Sequence, residues 1–227
     1  MPDIELYSYD ACPYAQRTRM VLAEKGIEFA LHEVDPQAKP ANWLEISPYG
    51  RVPVLRHRGV SIYESSIINQ YIEEAFPEPA LMPADPVGRA YARIWMDYCE
   101  TRLLPANNRL LWEPGDAAQH QAKLDAVYEV LRFLETAGLG KLEHGGPFWF
   151  GARPGLVDFQ YLPFFERYGA YEELAGFRWP DDCSRLRDWF QTMCERDSVR
   201  ETLRPVAQHV DSHRRVAEAI RRRRAAS

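Results

Sequence analysis

The sequence is poor in cysteine, in long apolar runs and in excess positive charge. Four cysteines in 227 residues, Cys12, Cys99, Cys183 and Cys194, are too few and too irregularly spaced for a disulfide framework, which favours a reducing, cytoplasmic environment. No apolar run approaches the roughly 20 residues that a membrane-spanning helix needs, and we recognise no signal peptide. The net charge of −5 makes a nucleic-acid partner unexpected.

The remaining composition is that of a globular chain, with 46% hydrophobic and 27% charged residues. The first 80 residues mix β-prone and helical patterns in the order β-α-β, a short irregular piece, then β-β-α. That order predicts a thioredoxin-like α/β domain over residues 1–80. The segments behind it are strands at 4–9, 29–34, 53–55 and 61–63, and helices at 13–25 and 68–75.

A proline-rich stretch over residues 76–86 breaks regular structure and predicts a domain linker, which we place at 81–88. Residues 89–227 then carry apolar stripes at helical spacing, which predicts an all-α C-terminal domain. Within it, residues 156–168 are apolar on nearly every face, as in a buried central helix.

Cys12 lies where the first strand meets the first helix, so its sulfur is expected at a helix N-terminus. Free N–H groups and the helix dipole there favour thiolate over thiol and lower the pKa of a cysteine. Ala15 stands where a dithiol motif would have its second cysteine, so Cys12 needs an outside thiol, and glutathione is the abundant one. The alternative is a buried structural cysteine, which we prefer for the other three cysteines.

Five segments, at residues 12–19, 39–40, 47–55, 63–66 and 158–167, resemble the omega class of glutathione transferases in order and spacing. The resemblance covers both predicted domains. It implies the glutathione transferase fold, a homodimer, glutathione as cosubstrate and no metal.

The resemblance also implies binding roles toward glutathione. A cis Val52–Pro53 bond would present the Val52 backbone to the peptide, and Ser65 would hold the γ-glutamyl carboxylate at a helix N-terminus. Glu64 would accept from the γ-glutamyl ammonium, Lys39 would reach the glycyl carboxylate, and Tyr14 would complete the site. The plain alternatives are a trans proline, a helix cap at Ser65 and a solvated surface lysine.

The activity that the resemblance implies is thiol–disulfide exchange through a Cys12–glutathione mixed disulfide. Thioltransferase, dehydroascorbate reductase and deglutathionylation reactions all belong to this type. The second substrate should bind between the domains, with an aromatic lining for which we name Trp112, Tyr161, Phe165 and Tyr168. Aromatic side chains at helical spacing are otherwise core residues.

Three other functions stay open. A hydroxyl of Tyr7, Ser8 or Tyr9 could activate glutathione for conjugation to electrophiles, as in conjugating transferases. The chain also has similarities to stringent starvation protein A, a non-enzymatic partner of RNA polymerase, and to chloride intracellular channels. The intact glutathione motifs weigh against a stringent starvation protein A. The lack of an apolar segment that could insert into a membrane weighs against a chloride intracellular channel.

Three further features have no catalytic assignment. Gly155 stands where the resembled family usually has Ser or Thr as a helix cap, and we expect a structural role with Asp158 nearby. His209 and His213 are four residues apart, but the sequence offers no third metal ligand. The run Arg221–Arg224 is expected at the end of a helix, where positive charge suits the dipole.

Overall fold

The N-terminal part of the chain forms a four-stranded mixed sheet with helices on it. The computed structural model describes residues 3–139 and 145–225. Its strand order is β2-β1-β3-β4, with β1 parallel to β2 and the other pairs antiparallel. This is the predicted thioredoxin-like arrangement. The elements are β1 (Ile4–Ser8), α1 (Pro13–Glu24), β2 (Ala30–Glu33), α2 (Trp43–Ile46), β3 (Val54–His57), β4 (Val60–Tyr63) and α3 (Ser65–Ala75).

Local sequence explains where these elements begin and end. Pro13 occupies the first helical position of α1, where its missing N–H costs nothing. Gly26, with φ of 63°, follows the end of α1 in the left-handed region that glycine tolerates. Arg58 and Gly59 both have positive φ, as a tight turn between β3 and β4 requires.

The second part of the described chain is helical. Helix α4 begins at Pro86, so the last three residues of the predicted linker 81–88 are helical instead. None of the described helices is both long and apolar enough to span a membrane. The helices are α4 (Pro86–Tyr98), α5 (Leu104–Trp112), α6 (Ala117–Phe133), α7 (Leu156–Glu166), α8 (Tyr168–Ala175), α9 (Ser184–Cys194), α10 (Asp197–Arg200) and α11 (Val206–Ala225), with π-helical turns at Cys99–Leu103 and Leu134–Leu139.

Helix α7 is buried along its whole length, as its apolar sequence predicts. Asp158 ties its first turn to the surroundings by accepting from the backbone N–H of Gly155 and Trp149 and from Trp189 Nε1. Burial raises the pKa of Asp158 to about 6. A Cβ at Gly155 would lie 2.8 Å from the Leu81 carbonyl oxygen, so a larger residue at this position would clash with the backbone.

Candidate active site

Cys12 is the N-cap of α1, as the sequence predicts, and its side chain is half-buried. Its sulfur lies 3.9 Å from the Val52 carbonyl oxygen, on the loop that precedes β3. The Val52–Pro53 peptide bond is cis, as expected. The fold therefore brings the predicted nucleophile and the predicted glutathione-binding backbone into contact across 40 residues of sequence.

Opposing influences act on the Cys12 thiol. Burial is the largest and raises its pKa, whereas the backbone N–H groups of Ala15 and Tyr14 lower it. The guanidinium groups of Arg167 and Arg19 also lower it. The net direction is upward, so the expectation of a lowered pKa is wrong for the structure as it stands. The backbone N–H groups at the helix N-terminus lower the pKa as expected. Burial of the sulfur, however, destabilises the thiolate by more than these groups stabilise it.

A cavity of about 310 Å³ opens beside Val52 and Ser65, and we call it the Ser65 cavity. Five of the predicted glutathione-binding residues line it together. They are Tyr14, Val52, Pro53, Glu64 and Ser65. The sequence motifs, which lie more than 50 residues apart at their extremes, therefore converge on one space.

The start of α3 forms one wall of the Ser65 cavity. Glu64 precedes the helix with φ of 68° and ψ of 112°, a conformation that costs a non-glycine residue on the order of 1–3 kcal/mol. Such strain is concentrated at functional sites. Ser65 follows as the first helical residue, where backbone N–H groups have no partner within the helix. This wall is suited to an anion.

Arg17 joins this wall to the helical domain. Its buried guanidinium donates to Ser65 Oγ at 3.3 Å, to a Glu100 carboxylate oxygen at 2.6 Å and to the Gln160 carbonyl oxygen at 2.9 Å. Glu100 lines the Ser65 cavity but was not predicted from the sequence. It follows α4 in a part of the chain without a motif, and only the fold places it beside Ser65.

Lys39, predicted to reach the glycyl carboxylate of glutathione, makes a local contact. Its ammonium donates to the Gly50 carbonyl oxygen at 2.7 Å, and Lys39 is not among the residues that line the Ser65 cavity. Arg51 lines the cavity instead. Ser47 Oγ accepts from the Arg51 N–H and donates to the Arg51 carbonyl, which fixes the loop that presents this cation.

A second cavity of about 350 Å³ adjoins Cys12, and we call it the Trp112 cavity. Cys12 and Tyr14 line it, and Tyr14 lines the Ser65 cavity as well. Trp112, predicted for the second-substrate site, is in its wall. Other residues in this wall that sequence reasoning missed are Asn107, Phe164, Arg167, Tyr171 and His213.

The other three aromatic candidates do not line the Trp112 cavity. Tyr161, Phe165 and Tyr168 are 0%, 1% and 0% exposed and belong to the main hydrophobic core. Tyr161 donates to the Trp95 carbonyl oxygen at 2.7 Å, and Phe165 packs edge-on against Trp189. These three predictions are wrong because the faces of α7 and α8 that carry them pack against other helices.

Arg167 lies between Cys12 and the helical core. One nitrogen donates to the Ala11 carbonyl oxygen at 3.1 Å, and the other donates to Gln16 Oε1 at 3.2 Å and to the Pro163 carbonyl. Because Ala11 immediately precedes Cys12, this cation both positions the loop of the nucleophile and favours its thiolate form.

The three hydroxyl groups that could activate glutathione in place of Cys12 have different surroundings. Tyr7 donates to Glu5, and Ser8 accepts from Arg19 at 2.6 Å. Tyr9 lines the Trp112 cavity. Burial raises the pKa of Tyr14 to about 12, so that phenol stays protonated at neutral pH.

The two histidines of α11 have separate surroundings. His209 contacts Glu166 at 2.9 Å, whereas His213 packs between Trp112 and Tyr171 at the Trp112 cavity. In residues 3–139 and 145–225, no cluster of three or more potential metal ligands forms.

The thioredoxin-like domain followed by a helical domain, with Cys12 beside the cis Val52–Pro53 bond, is the arrangement of a glutathione transferase. A glutathione S-transferase N-terminal domain matches residues 6–80, and a glutathione S-transferase C-terminal domain matches residues 117–192. Glutathione S-transferase U28 of Arabidopsis thaliana is 34% identical over 85% of each chain. The chain belongs to the glutathione S-transferase family.

Solved structures of two different classes are similar to this chain. Glutathione transferase Omega 3C from Trametes versicolor is 32% identical, with a TM-score of 0.84 and coverage of 96% of this chain and 93% of the other. The Tau class glutathione S-transferase from mango, Mangifera indica, is 26% identical, with a TM-score of 0.87 and coverage of 93% and 97%. These similarities establish the family but do not distinguish the Omega class from the Tau class.

Proposed function

We propose that this protein is an omega-like glutathione-dependent thiol transferase that works through a Cys12–glutathione mixed disulfide. The observation that carries the proposal is the position of Cys12, which lines the Trp112 cavity and has its sulfur 3.9 Å from the carbonyl oxygen of Val52, a residue of the Ser65 cavity. A nucleophile at this junction can reach the sulfur of a peptide in one cavity and a group held in the other. Thioltransferase, deglutathionylation and dehydroascorbate reductase reactions would all use this geometry.

The exchange has two steps. The Cys12 thiolate attacks the glutathionyl sulfur of a mixed disulfide, forms the Cys12–glutathione bond and expels the substrate thiolate, which takes up a proton. A second glutathione then loses its thiol proton and attacks the glutathionyl sulfur on Cys12. Oxidised glutathione leaves and the Cys12 thiolate is regenerated, so one mixed disulfide is reduced at the cost of one glutathione thiol, and the glutathionyl group of the substrate forms the other half of the oxidised glutathione.

Glutathione would bind with its γ-glutamyl end against α3. The Ser65 hydroxyl and the first free N–H groups of the helix would hold the α-carboxylate, while Glu64 and Glu100 would accept from the ammonium. Val52 would pair with the peptide backbone as an added strand does. Arg51 is a cation that lines this cavity, so we assign the glycyl carboxylate to Arg51, with Lys39 nearby on the Gly50 carbonyl.

Intact-protein mass spectrometry after incubation with oxidised glutathione tests the proposal. We expect one glutathionyl adduct on the wild type, reversed by reductant and absent from Cys12→Ala. Cys194→Ala is the matched control, because Cys194 is also half-buried but lies in α9. That variant should keep the adduct. An adduct that survives in Cys12→Ala would remove Cys12 from the mechanism.

The second candidate function is conjugation of glutathione to electrophiles. The similarity to a Tau class structure favours it, as does burial, which raises the Cys12 pKa. Products separate the two reactions: with 1-chloro-2,4-dinitrobenzene a conjugating enzyme forms a thioether, whereas with a glutathionylated peptide a thiol transferase releases a free thiol. Greater turnover of the chlorinated compound, retained in Cys12→Ala, would favour conjugation.

A non-enzymatic role as an RNA polymerase partner, like that of stringent starvation protein A, has less support. The cysteine and the two cavities around it are features that an enzyme uses and a scaffold protein does not need. The enzyme hypothesis is therefore preferred.

We also propose that the protein is a homodimer. Val87, Tyr91 and Ile94 form an exposed apolar stripe on one face of α4, and each is more than 50% exposed. Neighbouring Ile67 on α3 is 55% exposed. Light scattering should give twice the mass of one chain for the wild type. The double variant Tyr91→Glu and Ile94→Glu should shift the mass to that of a monomer, and an unchanged mass would place the interface elsewhere.

A further inference from the structure

A buried carboxylate, Glu166, lies at the end of α7 and is contacted from three other segments of the chain. One of its oxygens accepts from the Arg204 backbone N–H at 2.7 Å and contacts His209 Nε2 at 2.9 Å. The other oxygen accepts from Gln16 Nε2 at 2.6 Å. Burial by itself would raise the pKa of Glu166, but His209, Arg167 and Gln16 together lower it, so the group is ionised at neutral pH.

Gln16 connects this carboxylate to the cation beside Cys12. Its amino end donates to Glu166, and its Oε1 accepts from Arg167 Nη1 at 3.2 Å. Arg167 Nη2 donates to the Ala11 carbonyl oxygen at 3.1 Å. Because an ionised carboxylate only accepts and a guanidinium only donates, a single orientation of the amide satisfies both of its neighbours. Glu166 therefore decides which end of the Gln16 side chain faces Arg167.

The amide also keeps two opposite charges apart. Arg167 Nη1 lies 3.7 Å from a Glu166 carboxylate oxygen, beyond hydrogen-bond distance. Direct hydrogen bonds between such groups are about 2.7–2.9 Å long, so a shift of about 1 Å would join them. The bonds to Gln16 and Ala11 hold the guanidinium back from that ion pair, in a position where its charge favours the Cys12 thiolate.

We propose that Glu166 is a positioning residue that acts on Cys12 through the orientation of the Gln16 amide. Oriented in this way, the amide keeps the Arg167 guanidinium beside the nucleophile. That Cys12 is the catalytic nucleophile rests on the proposed function. The positioning itself concerns only the reactivity of the thiol, so the two ideas can fail separately.

Glu166→Gln is the first test, because it keeps the shape of the side chain and puts an amino group in place of one oxygen. The Arg204 backbone N–H needs an acceptor, so the new amino group must face Gln16. The Gln16 amide must then turn over and present its own amino group to Arg167. With the guanidinium displaced, the pH midpoint of Cys12 alkylation by iodoacetamide should rise by about 0.5 units, which means about threefold slower alkylation at pH 7.

The sign of this shift separates positioning from plain electrostatics. Removal of a nearby negative charge would by itself favour the thiolate and lower the midpoint. Gln16→Leu keeps the charge of Glu166 and removes the amide, so it should also raise the midpoint, and it decides the question if Glu166→Gln does not fold. Alkylation is measured by mass spectrometry on the tryptic peptide that ends at Arg17, whose one cysteine is Cys12.

A double-mutant cycle with Arg167→Met tests the route of the effect. If Glu166 acts through the guanidinium, adding Glu166→Gln to Arg167→Met should give no further rise of the midpoint. A rise of the same size with and without Arg167→Met would mean that Glu166 acts by another route, and it would overturn the proposal.

Glu73→Gln is the matched control for the loss of a buried carboxylate. Glu73 also accepts from backbone N–H groups, those of Leu81 and Met82, and it pairs with Lys25 at 2.8 Å. Lys25 follows the opposite end of α1 from Cys12, about 20 Å away along the helix. We expect this variant to lose stability and to keep the midpoint of the wild type. A rise equal to that in the test variants would overturn the proposal.

An unchanged or lower midpoint in Glu166→Gln, or an unchanged midpoint in Gln16→Leu, would each overturn the proposal. Arg19, the other cation that favours the Cys12 thiolate, donates to Ser8 and is retained in every variant. A glutathionyl adduct on Cys12 would still stand in those cases. Absence of the adduct from the wild type would instead remove the proposed function and leave the alkylation shifts in place.

Discussion

Two buried arginines cross the domain boundary in opposite directions, and they support different sides of the site. Arg17, on α1 of the thioredoxin-like domain, reaches side chains at the Ser65 cavity and the Gln160 carbonyl of the helical domain. Arg167, which follows α7 of the helical domain, reaches back to the Ala11 carbonyl beside Cys12. Neither side chain is exposed by more than 5%.

The difference lies in what each cation holds. Arg17 makes an ion pair with Glu100, so it fixes a charged wall of the Ser65 cavity. Arg167 lies 3.7 Å from a Glu166 carboxylate oxygen, but its hydrogen bonds go to backbone and amide oxygens beside the nucleophile, and its charge lowers the pKa of the nearby Cys12 thiol. We therefore expect the first arginine to affect glutathione binding and stability, and the second to affect the reactivity of the nucleophile.

Arg17→Met should have the largest effect on stability. It leaves the buried Gln160 carbonyl without its charged donor and separates Glu100 from Ser65. We expect a loss of about 2–3 kcal/mol in the free energy of unfolding, measured by chemical denaturation, together with a raised KM for glutathione.

The control is Arg56→Met, because Arg56 forms a half-exposed ion pair with Glu5 at 3.9 Å. Its effect should stay within about 0.5 kcal/mol. Equal losses in both variants would remove the special role of Arg17.

Arg167→Met should instead change the pH dependence of Cys12 alkylation. A cation beside a thiol favours the thiolate and lowers the pKa, and Arg167 acts on Cys12 in this direction. Its removal should raise the Cys12 pKa, move the midpoint of the alkylation profile to higher pH and slow the reaction at pH 7.

Arg167→Lys is the matched variant, because it keeps the charge but loses the fork that holds Ala11 and Gln16. Its midpoint should lie between those of the wild type and Arg167→Met. A midpoint that does not move in Arg167→Met would contradict the role of the cation.

The sequence predicts the Ser65 side of the site well because that side is built from short local motifs. The Cys12 turn, the Val52–Pro53 loop and the Glu64–Ser65 helix start each have their own backbone signal. The thioredoxin-like fold then brings the ends of neighbouring elements together. Glu100 and Arg51 escape prediction because no local pattern distinguishes them from surface charges.

The Trp112 side is predicted poorly because helical spacing does not tell a cavity wall from a core. Asn107 and His213 come from α5 and α11, which are more than 90 residues apart in sequence. The pKa of Cys12 was also beyond prediction from the sequence. The sequence indicates that Cys12 stands at a helix N-terminus, but the burial that raises its pKa depends on the whole fold. Aromatic side chains of α7 satisfy the same pattern as Trp112 and lie in the core.

Tyr161→Phe gives the smallest expected effect and separates the core from the cavity. The substitution keeps the ring and removes only the hydrogen bond from the Tyr161 hydroxyl to the Trp95 carbonyl oxygen. We expect the free energy of unfolding to fall by about 1 kcal/mol. The affinity for an aromatic ligand of the Trp112 cavity should not change, because Tyr161 is fully buried behind α4. A change of ligand affinity in Tyr161→Phe, without loss of stability, would return Tyr161 to the second-substrate site.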